Sequence, residues 1–213
     1  MQTFYSIQSM IHETKPGEPS RILIKNLDSA QQLFTYLIYH ILEIAGYAEK
    51  DALQKASKYL PSEKDLKVNT KISGNELVWA VKESASFLRS ADKFKTKYLI
   101  NEEIVRKGYM ALINSAQYKE YISLPSREKK SERKILEFIF SDLMLPDEYF
   151  VSDVEEKFIQ WDDDAEMMIV LMNTFFQKPA SFNFEDMVGA EKMKFAVDLL
   201  QSLIEKDSYC LEL

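Results

Sequence analysis

Apolar side chains recur every three or four positions along most of the chain, with polar side chains between them. The clearest stripe runs through Leu33, Leu37, Ile41 and Ile44. This spacing places the four side chains on one face of a helix with 3.6 residues per turn. The only strand-like run, residues 22–24, is too short to outweigh its helical surroundings. The pattern therefore predicts an all-α protein, a multi-helix bundle of seven to nine helices.

Turn-forming and capping residues divide this pattern into individual helices. The strongest loop signal lies at residues 14–20, which hold two prolines and a glycine. We expect one helix over residues 75–91, with Leu88 on its buried face. A further helix is expected to begin after Asn101, a good N-cap residue, and to continue to residues 118–121.

The second half of the chain carries similar boundary signals. Ser126 or Ser131 is the expected N-cap of the next helix, and Pro146 is expected to open the following helix at its first position. Residues 162–164 are three aspartates, which we expect to supply the N-cap and the first-turn acids of the apolar helix that follows, because negative charge interacts well with the helix dipole. We expect that helix to end before Pro179.

Composition agrees with long helices, because the chain has only 5 glycines and 6 prolines in 213 residues. Its formal net charge of −7 argues against a free-standing nucleic-acid binder, although a local basic patch is compatible with it. The single cysteine, Cys210, excludes an intramolecular disulfide and is typical of a reducing compartment. No apolar run approaches the ~18 residues of a membrane span. We therefore expect a cytoplasmic protein without membrane contact.

Residue types that perform catalysis or bind metals are few and scattered. His40 and Glu43 would share a helix face, but a metal site needs three or four converging ligands, so a structural or surface histidine is the favoured interpretation. The aspartates at 162–164 lack the alternating ligands and the glycine of a calcium-binding loop. The glycines stand singly, which excludes a glycine-rich phosphate loop. We expect a non-enzymatic protein with no metal or other cofactor.

The densest basic segment, residues 127–134, holds five positive and two negative charges. Arg127, Lys130 and Lys134 are the candidate contacts to RNA phosphates. The alternative interpretation is the solvated first turns of a helix with no ligand. Both interpretations predict that these three side chains lie on a solvent-exposed helix face.

Several short motifs, in order along the chain, resemble the NusB transcription antitermination family. Residues 1–8, with Gln2, Tyr5 and Ser6, look like the opening helix of that family. Residues 58–71 resemble the K-Y-L-P-x-x-x-D-L-x-x-N signature of its long form, which carries an inserted helical region. Further similar motifs lie at residues 118–121, 145–147 and 161–164.

The resemblance implies a factor that binds a boxA-like element of the ribosomal RNA leader together with ribosomal protein S10 and acts on the RNA polymerase complex. Only Gln2 matches the family's RNA-contacting segment, because the arginines that would precede it are missing, and we expect a form shortened at both ends. Residues 1–60 resemble the start of NusB, and residues 61–213 resemble the inserted region that leads into the absent C-terminal half. The alternative is a helical protein–protein adaptor without RNA binding.

Overall fold

The computed structural model describes residues 18–63, 65–187, 194–200 and 202. Within these ranges the chain contains helices and turns but no strand, so the all-α prediction is confirmed. The α-helices are α1 Glu18–Ala56, α2 Glu76–Lys82, α3 Ala85–Lys93, α4 Glu102–Asn114, α5 Ala116–Ser123, α6 Lys129–Phe138, α7 Glu148–Lys157 and α8 Trp161–Gln177. Short 3₁₀ helices span Asp65–Lys67, Thr96–Leu99 and Pro179–Ser181. Residues 194–200 are also helical.

Helix α1 has 39 residues, which gives a length of about 58 Å at the α-helical rise per residue. Its predicted stripe is buried, from Leu33 to Ile44. The helix begins at Glu18, inside the segment for which the sequence predicts a loop. Pro19 is compatible with this start because the first turn of a helix needs no backbone N–H donors. Gly46 lies within the helix and does not end it.

The single helix predicted over residues 75–91 is wrong, because the chain forms α2 and α3 instead. The Asn75 side chain caps α2, and the Ser84 hydroxyl caps α3 by accepting the Phe87 backbone N–H. Phe87 is buried, whereas Leu88 is 53% exposed, so the predicted buried face of this segment is also corrected. A serine that caps a new helix favours a break even where the apolar spacing continues.

A similar break separates α4 from α5. Asn101 caps α4 as predicted, by accepting the Glu103 backbone N–H at 3.0 Å. The predicted continuation to residues 118–121 is interrupted at Ser115, whose hydroxyl accepts the Tyr118 backbone N–H. The one long helix expected here is therefore two shorter ones.

The boundaries around α6 to α8 differ in part from prediction. Neither Ser126 nor Ser131 caps α6, since its N-cap residue is Glu128 and Ser131 donates to the Glu128 carbonyl. The segment Ile139–Met144 continues α6 as a π-helix. Asp147 caps α7, so Pro146 precedes that helix and does not open it.

Helix α8 confirms that its aspartates are first-turn acids, but the expected aspartate N-cap is wrong, because the N-cap residue is Gln160. Asp162, Asp163 and Asp164 all lie in its first turn, where the free N–H groups and the helix dipole favour negative charge. The helix ends at Gln177, two residues before Pro179.

One hydrophobic core joins elements from both sides of residue 60 and includes side chains from Ala30 to Phe184. Its aromatic part surrounds Phe34, whose ring centroid lies 5.1 Å from that of Phe182 and 5.8 Å from that of Phe184. Within the described ranges, no helix combines the length and the apolar character needed to cross a bilayer.

Candidate nucleic-acid interface

A buried carboxylate fixes the position of α6. Glu132 is 0% exposed. Its side chain accepts hydrogen bonds from the Tyr121 hydroxyl and from the Glu76 backbone N–H, both at 2.8 Å. Arg127 donates from Nη1 to the two carboxylate oxygens at 3.3 and 3.2 Å. Because a buried carboxylate is stable only when it is paired and hydrogen-bonded, these contacts hold α6 against α2 and α5.

The tyrosine of this network remains a hydrogen-bond donor at neutral pH. Burial raises the pKa of Tyr121 above its ordinary value, and the hydrogen bond to Glu132 raises it further. The protonated hydroxyl therefore stays available to the carboxylate.

Arg127 serves this network and does not lie on the exposed face of α6. It precedes the first residue of the helix, and its Nη2 donates to the Lys71 carbonyl at 3.0 Å. The guanidinium also lies so close to Gly74 that a Cβ there would come within 2.7 Å of Nη2. Arg127 is exposed, as expected, with 35% of its side chain accessible. The expected position on a helix face is wrong, because Arg127 precedes α6 and its charge neutralises the buried Glu132.

Lys130 and Lys134 do lie on an exposed face of α6, as predicted. They are four residues apart, so their side chains are neighbours one turn from each other. No carboxylate in the described part of the chain lies within ion-pair distance of either ammonium group. Arg133, between them in sequence, pairs with Glu137 at 2.9 Å. The two lysines therefore present two charges that no described side chain neutralises.

A second surface, which we call the α2–α6 groove, opens beside these lysines and has a volume of about 790 Å³. Four of its eleven lining residues are apolar, namely Leu77, Ala80, Phe176 and Pro179. Positive side chains outnumber negative ones among its lining residues, with four cations against one carboxylate. The groove is lined by Glu76, Leu77 and Ala80 of α2, by Lys129, Lys130 and Arg133 of α6, and by residues 176–179 and Ser181.

Lys134 lies outside the α2–α6 groove and lines a separate cavity of about 200 Å³. That cavity lies between α5 and α6 and has Leu124, Ile135 and Phe138 among its walls. The exposed lysines of α6 therefore border two different surfaces, with Lys130 beside the groove and Lys134 beside the cavity.

Lys178 is a cation of the α2–α6 groove that the sequence pattern did not predict. It follows α8, far along the chain from residues 129–134, and no basic run surrounds it. Only the packing of α8 near α2 and α6 brings it to the groove. No local sequence signal would have identified it.

His40, another candidate from the sequence, does not line the α2–α6 groove. His40 is fully buried, and its ring lies 5.0 Å from that of Phe150. Neither ring nitrogen has a hydrogen-bond partner, and burial lowers the pKa of His40 to about 4. The structure places His40 in the core, and the described residues contain no cluster of metal-ligating side chains. Gln2 and Cys210 lie outside the described residues.

Comparisons of the chain with family models, with curated proteins and with solved structures found no match. The function proposed next is therefore based on the residues themselves and on the ordered motifs of the sequence.

Proposed function

We propose that this chain is part of a NusB-like transcription antitermination factor that acts without catalysis, through contacts to RNA and to proteins. The observation that carries the RNA part is the pair of exposed lysines on α6, Lys130 and Lys134, which have no ion-pair partner among the described residues. The ordered motifs that resemble the long form of NusB support the antitermination part.

Unpaired lysines are suited to phosphate binding for two reasons. Each phosphate contact releases a condensed counterion from the nucleic acid, which favours binding at low salt. A lysine that is not already paired with a carboxylate can make this contact without breaking an existing ion pair. In a chain with a net charge of −7, such a local pair is the part of α6 that offers RNA an attractive field.

The proposal is tested by filter binding of a single-stranded boxA-like RNA at about 50 and 200 mM salt. Three proteins are compared: the unmodified chain, the double variant Lys130→Gln/Lys134→Gln, and the control Lys95→Gln/Lys97→Gln. The control removes two exposed lysines that follow α3, Lys95 in a turn and Lys97 in a short 3₁₀ helix, so it changes the net charge equally.

We expect binding to weaken as salt rises and the α6 variant to lose part of this dependence. Each phosphate contact to a single strand contributes about −0.7 to the slope of log K against log salt, so two lost contacts change it by about 1.4. The absence of salt-dependent binding by the unmodified chain would contradict the RNA role. An equal loss in the control would assign binding to net charge alone.

A helical protein–protein adaptor without RNA binding is the second candidate, and the apolar lining of the α2–α6 groove favours it. Exposed apolar concavities on a protein surface are typical of partner-binding sites. Capture of ribosomal protein S10 or RNA polymerase by the isolated chain, in nuclease-treated buffer, would support the adaptor. Capture that requires added RNA would contradict it.

A further inference from the structure

We infer that the α2–α6 groove binds an acidic segment of a partner protein, with apolar side chains of that segment packed on the groove floor. This inference goes beyond the proposed RNA contact because it concerns a different class of partner, although the groove shares Lys130 with the proposed phosphate contacts. Three observations support it: the apolar floor of the groove, its positive rim and the burial of its one aromatic lining residue, Phe176.

The floor of the groove is apolar. Leu77 and Ala80 of α2 are both half-buried and line it, and Pro179 contributes from the segment that follows α8. Partly exposed apolar surface is stabilised when a ligand removes it from water, by about 25 cal/mol per Å². A volume of about 790 Å³ accommodates several side chains of a bound segment.

The rim of the groove is positive. Lys129, Lys130 and Lys178 are exposed, and none forms an ion pair with a described carboxylate. Arg133 is engaged with Glu137, and Glu76 is the single carboxylate in the lining. An acidic ligand would therefore meet three available ammonium groups around an apolar floor, and this charge complementarity selects acidic over basic segments.

The groove suits a peptide better than a single-stranded nucleic acid. Surfaces that bind single strands combine positive charge with aromatic rings on which the bases stack. The one aromatic residue in the lining is Phe176, which is only 2% exposed, so no open ring face is available to a base. Leucine-like side chains can pack on Leu77 and Ala80 without such a ring.

The test is fluorescence anisotropy with the whole chain and defined probes. The main probe is a labelled peptide of three Glu-Glu-Leu-Leu repeats. Matched probes replace each Glu by Lys, or each Leu by Gly, and an oligouridine of the same length tests nucleic acid. The groove variant is Lys129→Glu/Lys178→Glu, and its charge-matched control is Lys95→Glu/Lys97→Glu.

We expect the acidic, apolar peptide to bind and the groove variant to weaken its binding by at least about tenfold, since two attractive contacts become repulsive. Ala80→Glu, which adds a bulky negative group to the floor, should weaken binding as well, and the control variant should not. Circular dichroism establishes that each variant is folded.

Several results would overturn the inference. These are no binding of the peptide, equal binding by the groove variant, and binding of the Lys-containing or Gly-containing probe as tightly as the main one. Binding of oligouridine that the groove variant abolishes, without binding of the peptide, would assign the groove to nucleic acid. The RNA proposal fails separately, because the groove variant Lys129→Glu/Lys178→Glu leaves Lys130 and Lys134 in place and Lys134 lies outside this groove.

Discussion

On one face of α6, Glu132 is fully buried and accepts hydrogen bonds from Tyr121, Glu76 and Arg127. On another face, Lys130 and Lys134 are exposed and have no described ion-pair partner. Glu132, Lys130 and Lys134 belong to the same charged run, residues 127–134, yet only the first of these three charges is paired within the described part of the chain. Removal of one member of an internally paired charge destabilises the folded state, whereas unpaired charges are available to a ligand.

Removal of the buried carboxylate should have the largest effect on stability. Glu132→Ala leaves the Arg127 guanidinium, the Tyr121 hydroxyl and a backbone N–H without their acceptor. We expect the free energy of unfolding to fall by about 3 kcal/mol, measured by urea denaturation. The control Glu128→Ala removes an exposed carboxylate beside the start of the same helix and should change stability by no more than about 0.5 kcal/mol. Equal losses in the two variants would contradict the claim that the buried carboxylate matters more for stability than an exposed one.

His40 is buried like Glu132, but its ring nitrogens have no hydrogen-bond partner. Its folded-state pKa of about 4 lies below the ordinary value of 6.5, so between these values the unfolded chain binds a proton that the folded chain does not. Stability is therefore lost as pH falls through this window. From about pH 7.5 to pH 5 the loss from His40 should be about 2 kcal/mol.

Urea denaturation at the two pH values measures this effect, with His40→Leu as the reference. Between pH 7.5 and pH 5, the leucine variant should lose about 2 kcal/mol less stability than the unmodified chain. The same loss in both proteins would show that His40 does not determine the acid sensitivity.

Arg127 should behave as a structural cation. Arg127→Ala removes two hydrogen bonds to Glu132 and one to the Lys71 carbonyl, and we expect a loss of about 1–2 kcal/mol because the buried carboxylate keeps only its other donors. The salt dependence of RNA binding should be the same as for the unmodified chain. A lower salt slope with unchanged stability would assign Arg127 to the ligand-binding charges.

The smallest effect on stability is expected for the exposed face. Lys130→Gln/Lys134→Gln should change the free energy of unfolding by no more than about 0.5 kcal/mol, because neither side chain contacts a described carboxylate. Urea denaturation tests this value. A loss comparable to that of Arg127→Ala would place these lysines among the structural charges.

Most of the helical fold was predictable, because the spacing of Leu33, Leu37, Ile41 and Ile44 is set by burial on one helix face. The helix breaks were not, because Ser84 and Ser115 cap new helices within segments whose apolar spacing continues. Whether such a serine caps a helix or lies inside one is decided by tertiary packing.

Only the part of the candidate site formed by consecutive residues, the basic run at 127–134, was predictable from the sequence. The run of residues 127–134 identifies a basic helix start, and Lys130 and Lys134 are exposed as expected. The burial of Glu132 depends on Tyr121 and on the N-terminus of α2, which lie elsewhere in the sequence. The α2–α6 groove likewise requires three distant segments, including Lys178.

The most direct test of the central claim compares the salt dependence of RNA binding in the unmodified chain, in Arg127→Ala and in Lys130→Gln/Lys134→Gln. If Arg127 is structural and the two lysines contact phosphates, the slope of log K against log salt should change by about 1.4 in the double lysine variant. The arginine variant should keep the slope of the unmodified chain. Equal slopes in all three proteins, or a loss confined to Arg127→Ala, would contradict it.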